Sequence, residues 1–209
     1  RILSSAASDV YKRQDQHIRI TQSTNSDSLD SDKNDIPMFS LHSSLKGIVH
    51  KERPYEDFIH QPLLPNKLSQ LGPGIAFTDV DGNGTEDFFI GCPRGQSGAI
   101  FLGDGKGSFK VNSKNDPFEK HFDYEDMGVL FLDADSDGDA DLYVSSGSYE
   151  YEKGDPLVRD RIYVNDGSGA FSIGNDDALP KNLDNGSVVC AADFDRDGDI
   201  DLFVGSRVV

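Results

Sequence analysis

Residues 128–145 read GVLFLDADSDGDADLYVS. An apolar run leads into acids at alternating positions, and a second apolar run leads out. The same text occurs twice more, as GIAFTDVDGNGTEDFFIG over 74–91 and SVVCAADFDRDGDIDLFVG over 187–205. Asp79, Asp133 and Asp193 open the three acidic loops, 54 and 60 residues apart. A fixed motif returning at such intervals marks a repeat architecture, and the whole fold is read from it.

The apolar runs are four or five residues long and rich in Phe, Val, Ile, Leu and Tyr. They are too short for helices and read as strands. Between the acidic motifs a second element recurs, IFLGDGKGSF over 100–109 and IYVNDGSGAF over 162–171. Asp104-Gly105 and Asp166-Gly167 are hairpin turn dipeptides. Four antiparallel strands per unit of ~40–60 residues make a propeller blade. The expected fold is therefore all-β: a partial β-propeller of two complete four-stranded blades plus the start of a third. The blades are expected at about 72–126, 127–186 and 187–209. An irregular lead-in over 37–71 and a disordered, Ser/Asp/Asn-rich tail over 1–36 precede them. Within that tail, residues 9–14 (DVYKRQ) resemble the translation of a sequencing-library end, so 1–14 are left out of the fold reading. Propellers need ~4–8 blades to close, so the chain reads as a piece of a longer one.

The loops align as Asp79-x-Asp81-x-Asn83-Gly84-Thr85-x-Asp87, Asp133-x-Asp135-x-Asp137-Gly138-Asp139-x-Asp141 and Asp193-x-Asp195-x-Asp197-Gly198-Asp199-x-Asp201. Side-chain oxygens fall at positions 1, 3, 5 and 9, with Gly at 6. Oxygen-only donors suit a hard cation, and Ca²⁺ takes six to eight of them at flexible angles. Position 7 offers its carbonyl, so its side chain varies. Up to three Ca²⁺ are expected, one per loop. Mg²⁺ prefers strict octahedral geometry, and zinc calls for Cys and His. An EF-hand would place Glu at position 12; here Ile90, Val144 and Val204 stand there, on strands. Loop 1, with Gly82, Asn83 and Thr85, carries less charge than the other two, so it is expected to bind most weakly.

Net charge is −17, from 20 Lys+Arg against 37 Asp+Glu. Nucleic acid needs a basic footprint and is excluded as a partner. No apolar run approaches the ~18–20 residues of a spanning helix, so no transmembrane segment is expected. Fourteen of the 37 acids lie in the three loops, so much of the acidity has one address.

The text DADSDGDADLYV, DFDRDGDIDLFVG and RIYVNDGSGAF resembles the FG-GAP/VCBS repeat family, the calcium-bearing blades of integrin α-subunits and many bacterial surface proteins. The lead-in pieces GIVHKE and QPLLPNKLSQLGPG are similar to those of its ASPIC-type, cartilage-acidic-protein-like subgroup. The resemblance implies a calcium-stabilised propeller, commonly seven-bladed, outside the cytoplasm: extracellular, cell-surface or periplasmic. It implies a non-catalytic role in adhesion or in protein or carbohydrate recognition, with the remaining blades of the same chain as neighbours. The alternative is a secreted propeller enzyme, a polysaccharide lyase or hydrolase, whose catalytic residues lie outside this segment.

In an up-and-down blade the calcium loops and the Gly-rich turns share one end, and the other connections share the opposite end. The longest of those, SYEYEKGDPLVRD over 148–160, carries Tyr149, Tyr151 and Arg159 as candidate ligand-face residues. His50, His60 and Glu52 accompany no nucleophile motif and read as structural. Cys92 and Cys190 are far apart in the repeat and read as small buried residues, not a disulfide.

Overall fold

The computed structural model describes residues 50–208, apart from Lys153 and Asn182. The expected tail over 1–36 and the lead-in over 37–49 lie outside the described residues.

Two antiparallel four-stranded sheets follow one another, each with its strands in sequence order. The first holds β1 (Ile75–Thr78), β2 (Asp87–Ile90), β3 (Ala99–Gly103) and β4 (Phe109–Val111). The second holds β5 (Asp126–Leu132), β6 (Asp141–Ser146), β7 (Arg161–Asn165) and β8 (Phe171–Ile173). A hairpin of β9 (Asn185–Ala192) and β10 (Asp201–Val208) comes last. This is the expected partial propeller: two blades and the opening hairpin of a third. Register is shared as well. Thr78 pairs with Asp87, Leu132 with Asp141 and Ala192 with Asp201. Each acidic loop therefore closes at the same rung, on its position-9 Asp.

The core lies between the first two sheets. Phe89 and Ile100 from the first meet Leu142, Val144, Tyr163 and Phe171 from the second. The connection between the sheets contributes its own plug. Asn115-Asp116-Pro117 starts a one-turn helix, α2 (Asp116–Glu119), after the earlier α1 (Asp57–His60). Pro at the start of a helix loses no hydrogen bond. The turn drives Phe118 between the sheets, with ring centroids 5.2 Å from Phe89 and 4.8 Å from Tyr163. All six residues of β6 are buried. A strand in an antiparallel sheet alternates unless both of its faces are covered. Here the first sheet covers one face and the β9–β10 hairpin the other.

Neighbouring blades also meet through their first strands. A Cβ on Gly74 would lie 2.3 Å from the Met127 carbonyl oxygen, so only glycine permits the approach. A buried ion pair adds to the seam. Asp126 takes a hydrogen bond from the Cys92 N–H of the first blade (3.0 Å) and pairs with Arg161 at 2.5 Å. Arg161 also donates to the Tyr163 hydroxyl and the Ser146 Oγ, and lies 4.3 Å over the Tyr124 ring. In the lead-in, fully buried Asp57 accepts the N–H groups of Leu68 and Ser69 and the Ser69 hydroxyl. That clamp closes the 57–69 segment.

The cysteines are both free. Cys92 is half-buried, but Cys190 is exposed, which corrects the expectation of burial. It stands on a hairpin with no third strand beside it among the described residues, where Phe194 and Phe203 are exposed too.

Candidate functional site

The period-2 geometry of the hairpins brings each acidic loop out at the same end of its blade. Within each loop three carboxylates converge: Asp79, Asp81 and Asp87; Asp133, Asp135 and Asp141; Asp193, Asp195 and Asp197. In every triplet the donor oxygens lie within 4.8 Å of one another.

Backbone N–H groups aim these carboxylates. Asp79 accepts from the N–H of Asn83 and Gly84, and Asp133 from those of Asp137 and Gly138. Position 5 caps position 7: Asn83, Asp137 and Asp197 accept from the N–H of Thr85, Asp139 and Asp199. The turn itself needs left-handed backbone twice. Gly84, Gly138 and Gly198 at position 6 have φ of +83°, +94° and +100°. Position 4 is left-handed too: Gly82 at +71°, Ser136 at +64° and Arg196 at +66°. Ser136 and Arg196 are the non-glycine residues held there among the described residues, and such residues carry strain. Gly82 thus has a backbone reason for standing where the other loops have Ser or Arg.

The position-9 Asp has a second task. Asp87 and Asp141 are fully buried. One oxygen of each accepts the N–H at loop position 2, from Val80 (3.0 Å) or Ala134 (2.9 Å). The other accepts the N–H that ends the third strand, from Gly103 (2.7 Å) or Asn165 (2.8 Å). Asp201 is exposed and accepts only from Phe194 among the described residues. It has no third strand to lean on and stands outside its loop's triplet. The side chains at positions 5 and 7 are also outside the carboxylate triplets, except Asp197. Thr85 Oγ1 donates to the Gly103 carbonyl.

Crowding raises the proton affinity of these groups. Burial pushes the Asp87 pKa above the usual carboxylate range, and Asp81 and Asp79 push it further, against its two N–H donors. Asp135 is raised by desolvation and then by Asp137 and Asp141. Asp139 is raised by desolvation and then by Asp137, Asp133, Asp166 and Asp135. A bound cation reverses the balance, because it rewards the charged form. Converging oxygen donors, no sulfur or imidazole, and a glycine-permitted reversal together fit a metal ion of the hard, oxygen-seeking class.

Residues 79–144 and 152–204 match the FG-GAP-like repeat. The chain belongs to the FG-GAP-like repeat family. No curated protein matches it significantly. The matched segments of the FG-GAP-like repeat cover all three acidic loops and the third and fourth strands of the second blade.

The opposite end of the blades does not gather Tyr149, Tyr151 and Arg159 into one site. Tyr149 and Tyr151 line a cavity of about 310 Å³, shared with Tyr55 and His60 of the lead-in. Tyr55 and His60 stack in parallel at 5.6 Å. Tyr151 is largely used up by packing: it is buried, its hydroxyl donates to the Asp123 carbonyl, and Arg94 covers its ring at 5.1 Å. Arg159 lines a different cavity of about 100 Å³ and is tied to Asp176 through backbone and carboxylate. The ring-bearing surface is thus Tyr55, His60 and Tyr149. Sequence reading took His60 as structural and passed over Tyr55, which stands outside the repeat. It also passed over Asn165, although a signal was there: IYVN carries Asn where IFLG carries Gly103.

Proposed function

We propose that this chain is a calcium-binding β-propeller segment of an extracellular, cell-surface or periplasmic protein. It serves adhesion or recognition of protein or carbohydrate and has no catalytic role. The carboxylates of each loop would hold calcium in a structural role, which would offset their charge and stiffen the first hairpin of each blade. Loops 1, 2 and 3 hold it through Asp79, Asp81 and Asp87, through Asp133, Asp135 and Asp141, and through Asp193, Asp195 and Asp197. The observation that supports this is the threefold convergence of carboxylates on loops closed at one rung. The resemblance of the lead-in text supports a reading of the chain as one of the ASPIC-type subgroup.

Extracellular modules bind calcium with Kd of about 10⁻⁴–10⁻³ M. At 10 mM calcium each site then adds roughly 1.4–2.7 kcal/mol to folding. Thermal unfolding in 10 mM calcium against chelator reads this directly. An unchanged Tm refutes the calcium reading. For recognition, Tyr149→Ala is the informative variant, because Tyr151→Ala also removes a packed ring. Glycan and protein arrays probed with the protein should lose signal on Tyr149→Ala. Signal that survives it moves the ligand surface elsewhere.

A further inference from the structure

The turn over residues 165–170 touches two acidic loops at once. It ends the third strand of the second blade, so contact with its own loop 2 is built in. Asn165 N–H donates to Asp141 at 2.8 Å, and the Asn165 Nδ2 donates to the Ala140 carbonyl at 3.2 Å. The same Nδ2 also reaches across the blade seam to the Val80 carbonyl of loop 1, at 2.8 Å. Val80 stands between Asp79 and Asp81, and its own N–H is held by Asp87. One buried amide therefore grips the peptide between two members of the first triplet and the peptide just before a member of the second. Asn165 is 4 % exposed, so water does not replace these bonds.

Packing of the turn repeats the pattern. A Cβ on Gly167 would lie 2.4 Å from the Asp139 carboxylate of loop 2, and the Gly167 carbonyl oxygen lies 3.9 Å from a Cβ built on Gly82 of loop 1. A Cβ on Gly169 would touch Asp81 and Val80 of loop 1 at 3.5 Å. Asn112 and Lys114 of the first blade hold the turn from outside, through the carbonyls of Gly169 and Ser168. The matching turn of the first blade differs. A Cβ on its Gly105 would meet Thr85 of its own loop alone, and Gly103 has no side chain to reach a second loop.

We propose that Asn165 couples metal binding at loop 1 to metal binding at loop 2, so that the acid-rich loop 2 primes the acid-poor loop 1. This rests on the calcium reading above. With loop 2 occupied, Asp133, Asp135 and Asp141 would be held together, which would order Ala140 and the Asn165 backbone. Asn165 is then held where its amide supports the Val80 carbonyl, and Asp79 and Asp81 are presented together. Loop 1 no longer bears the whole ordering cost when it binds. Reciprocity follows, since coupling between two binding sites is mutual.

The test follows the amide resonances of Gly84, Gly138 and Gly198 during calcium titration of the whole chain, one reporter per loop. Loop 2 is silenced by Asp133→Asn with Asp135→Asn. Coupling predicts that loop 1 affinity then falls by about fivefold or more, the lower end of ordinary allosteric coupling. In an Asn165→Gly background, which copies Gly103 and keeps the N–H to Asp141, silencing loop 2 should leave loop 1 affinity within about twofold. Loop 1 affinity that ignores the state of loop 2 overturns the coupling even if Asn165→Gly fails to fold. Coupling that survives Asn165→Gly overturns the role of Asn165. No shift at any of the three glycines in millimolar calcium overturns the calcium reading instead.

Discussion

Asp141→Asn and Asp135→Asn each remove one charge from the same triplet, yet they should behave oppositely without metal. Asp141 is fully buried, and both oxygens accept backbone N–H groups, at 2.8 and 2.9 Å. Asparagine keeps one acceptor and turns the other into a donor facing a donor. A hydrogen bond to a charged group contributes about 1.5–3 kcal/mol, and its loss leaves a buried N–H unpaired. Relief of repulsion from Asp133 and Asp135 offsets part of this, so about 1–3 kcal/mol should be lost. For a chain of this size that is a fall in Tm of roughly 2–12 °C. Asp135 is exposed, and its single backbone contact, with Asp137 N–H at 3.3 Å, survives in asparagine. Its replacement should leave Tm unchanged or slightly raised in chelator, while shrinking the rise that calcium produces. Scanning calorimetry of both variants, in chelator and in 10 mM calcium, separates the two roles. Equal losses in chelator, or none for Asp141→Asn, would show that position 9 is only a ligand and refute its role as a backbone anchor.

Arg161→Met should cost about 3–5 kcal/mol in urea unfolding, because it strands the buried Asp126 carboxylate without its cation; a loss under 1 kcal/mol would make the pair ornamental. Glu125 is buried, and desolvation, with Glu150 and Glu52 nearby, pushes its pKa up to about 7 against a hydrogen bond from Ser148. The folded state then holds this proton more tightly than the unfolded chain does, so stability falls as pH rises from about 4.5 to about 7. Glu125→Gln should remove that slope, worth roughly 3 kcal/mol, from urea midpoints compared at pH 5 and pH 8. Gly138→Ala should destabilise by about 1–2 kcal/mol through backbone conformation alone, since φ is +94° and a Cβ there meets no atom within 4 Å. Ser136→Gly should be neutral or stabilising by up to about 1 kcal/mol in the same urea series.

Some features were readable because their cause is local. The six-residue stretches TEDFFI and DADLYV alternate or bury as strands do, and Asp-Gly dipeptides mark where the chain reverses. The closing rung of each loop follows from its length. Phe118 was not readable: its helix is one turn long, and nothing in Asp116–Glu119 says which sheet the ring will enter. Tyr151 reads as a ligand-face candidate because it stands on the longest connection at that end, but Arg94 and the Asp123 carbonyl come from distant parts of the chain to cover it. Arg159 was likewise taken up by Asp176.

The strands, the repeat and the oxygen-rich loops were legible from local sequence, because each depends on residues within about ten positions of one another. Tertiary structure decided which loop leans on which turn. Asn165 and Val80 are 85 residues apart, and Arg161 and Asp126 are 35 apart. Those meetings depend on how one twisted sheet packs on the next, which no local pattern encodes. The acidity that first only excluded partners therefore resolves into three carboxylate triplets, two of them joined by a single buried amide.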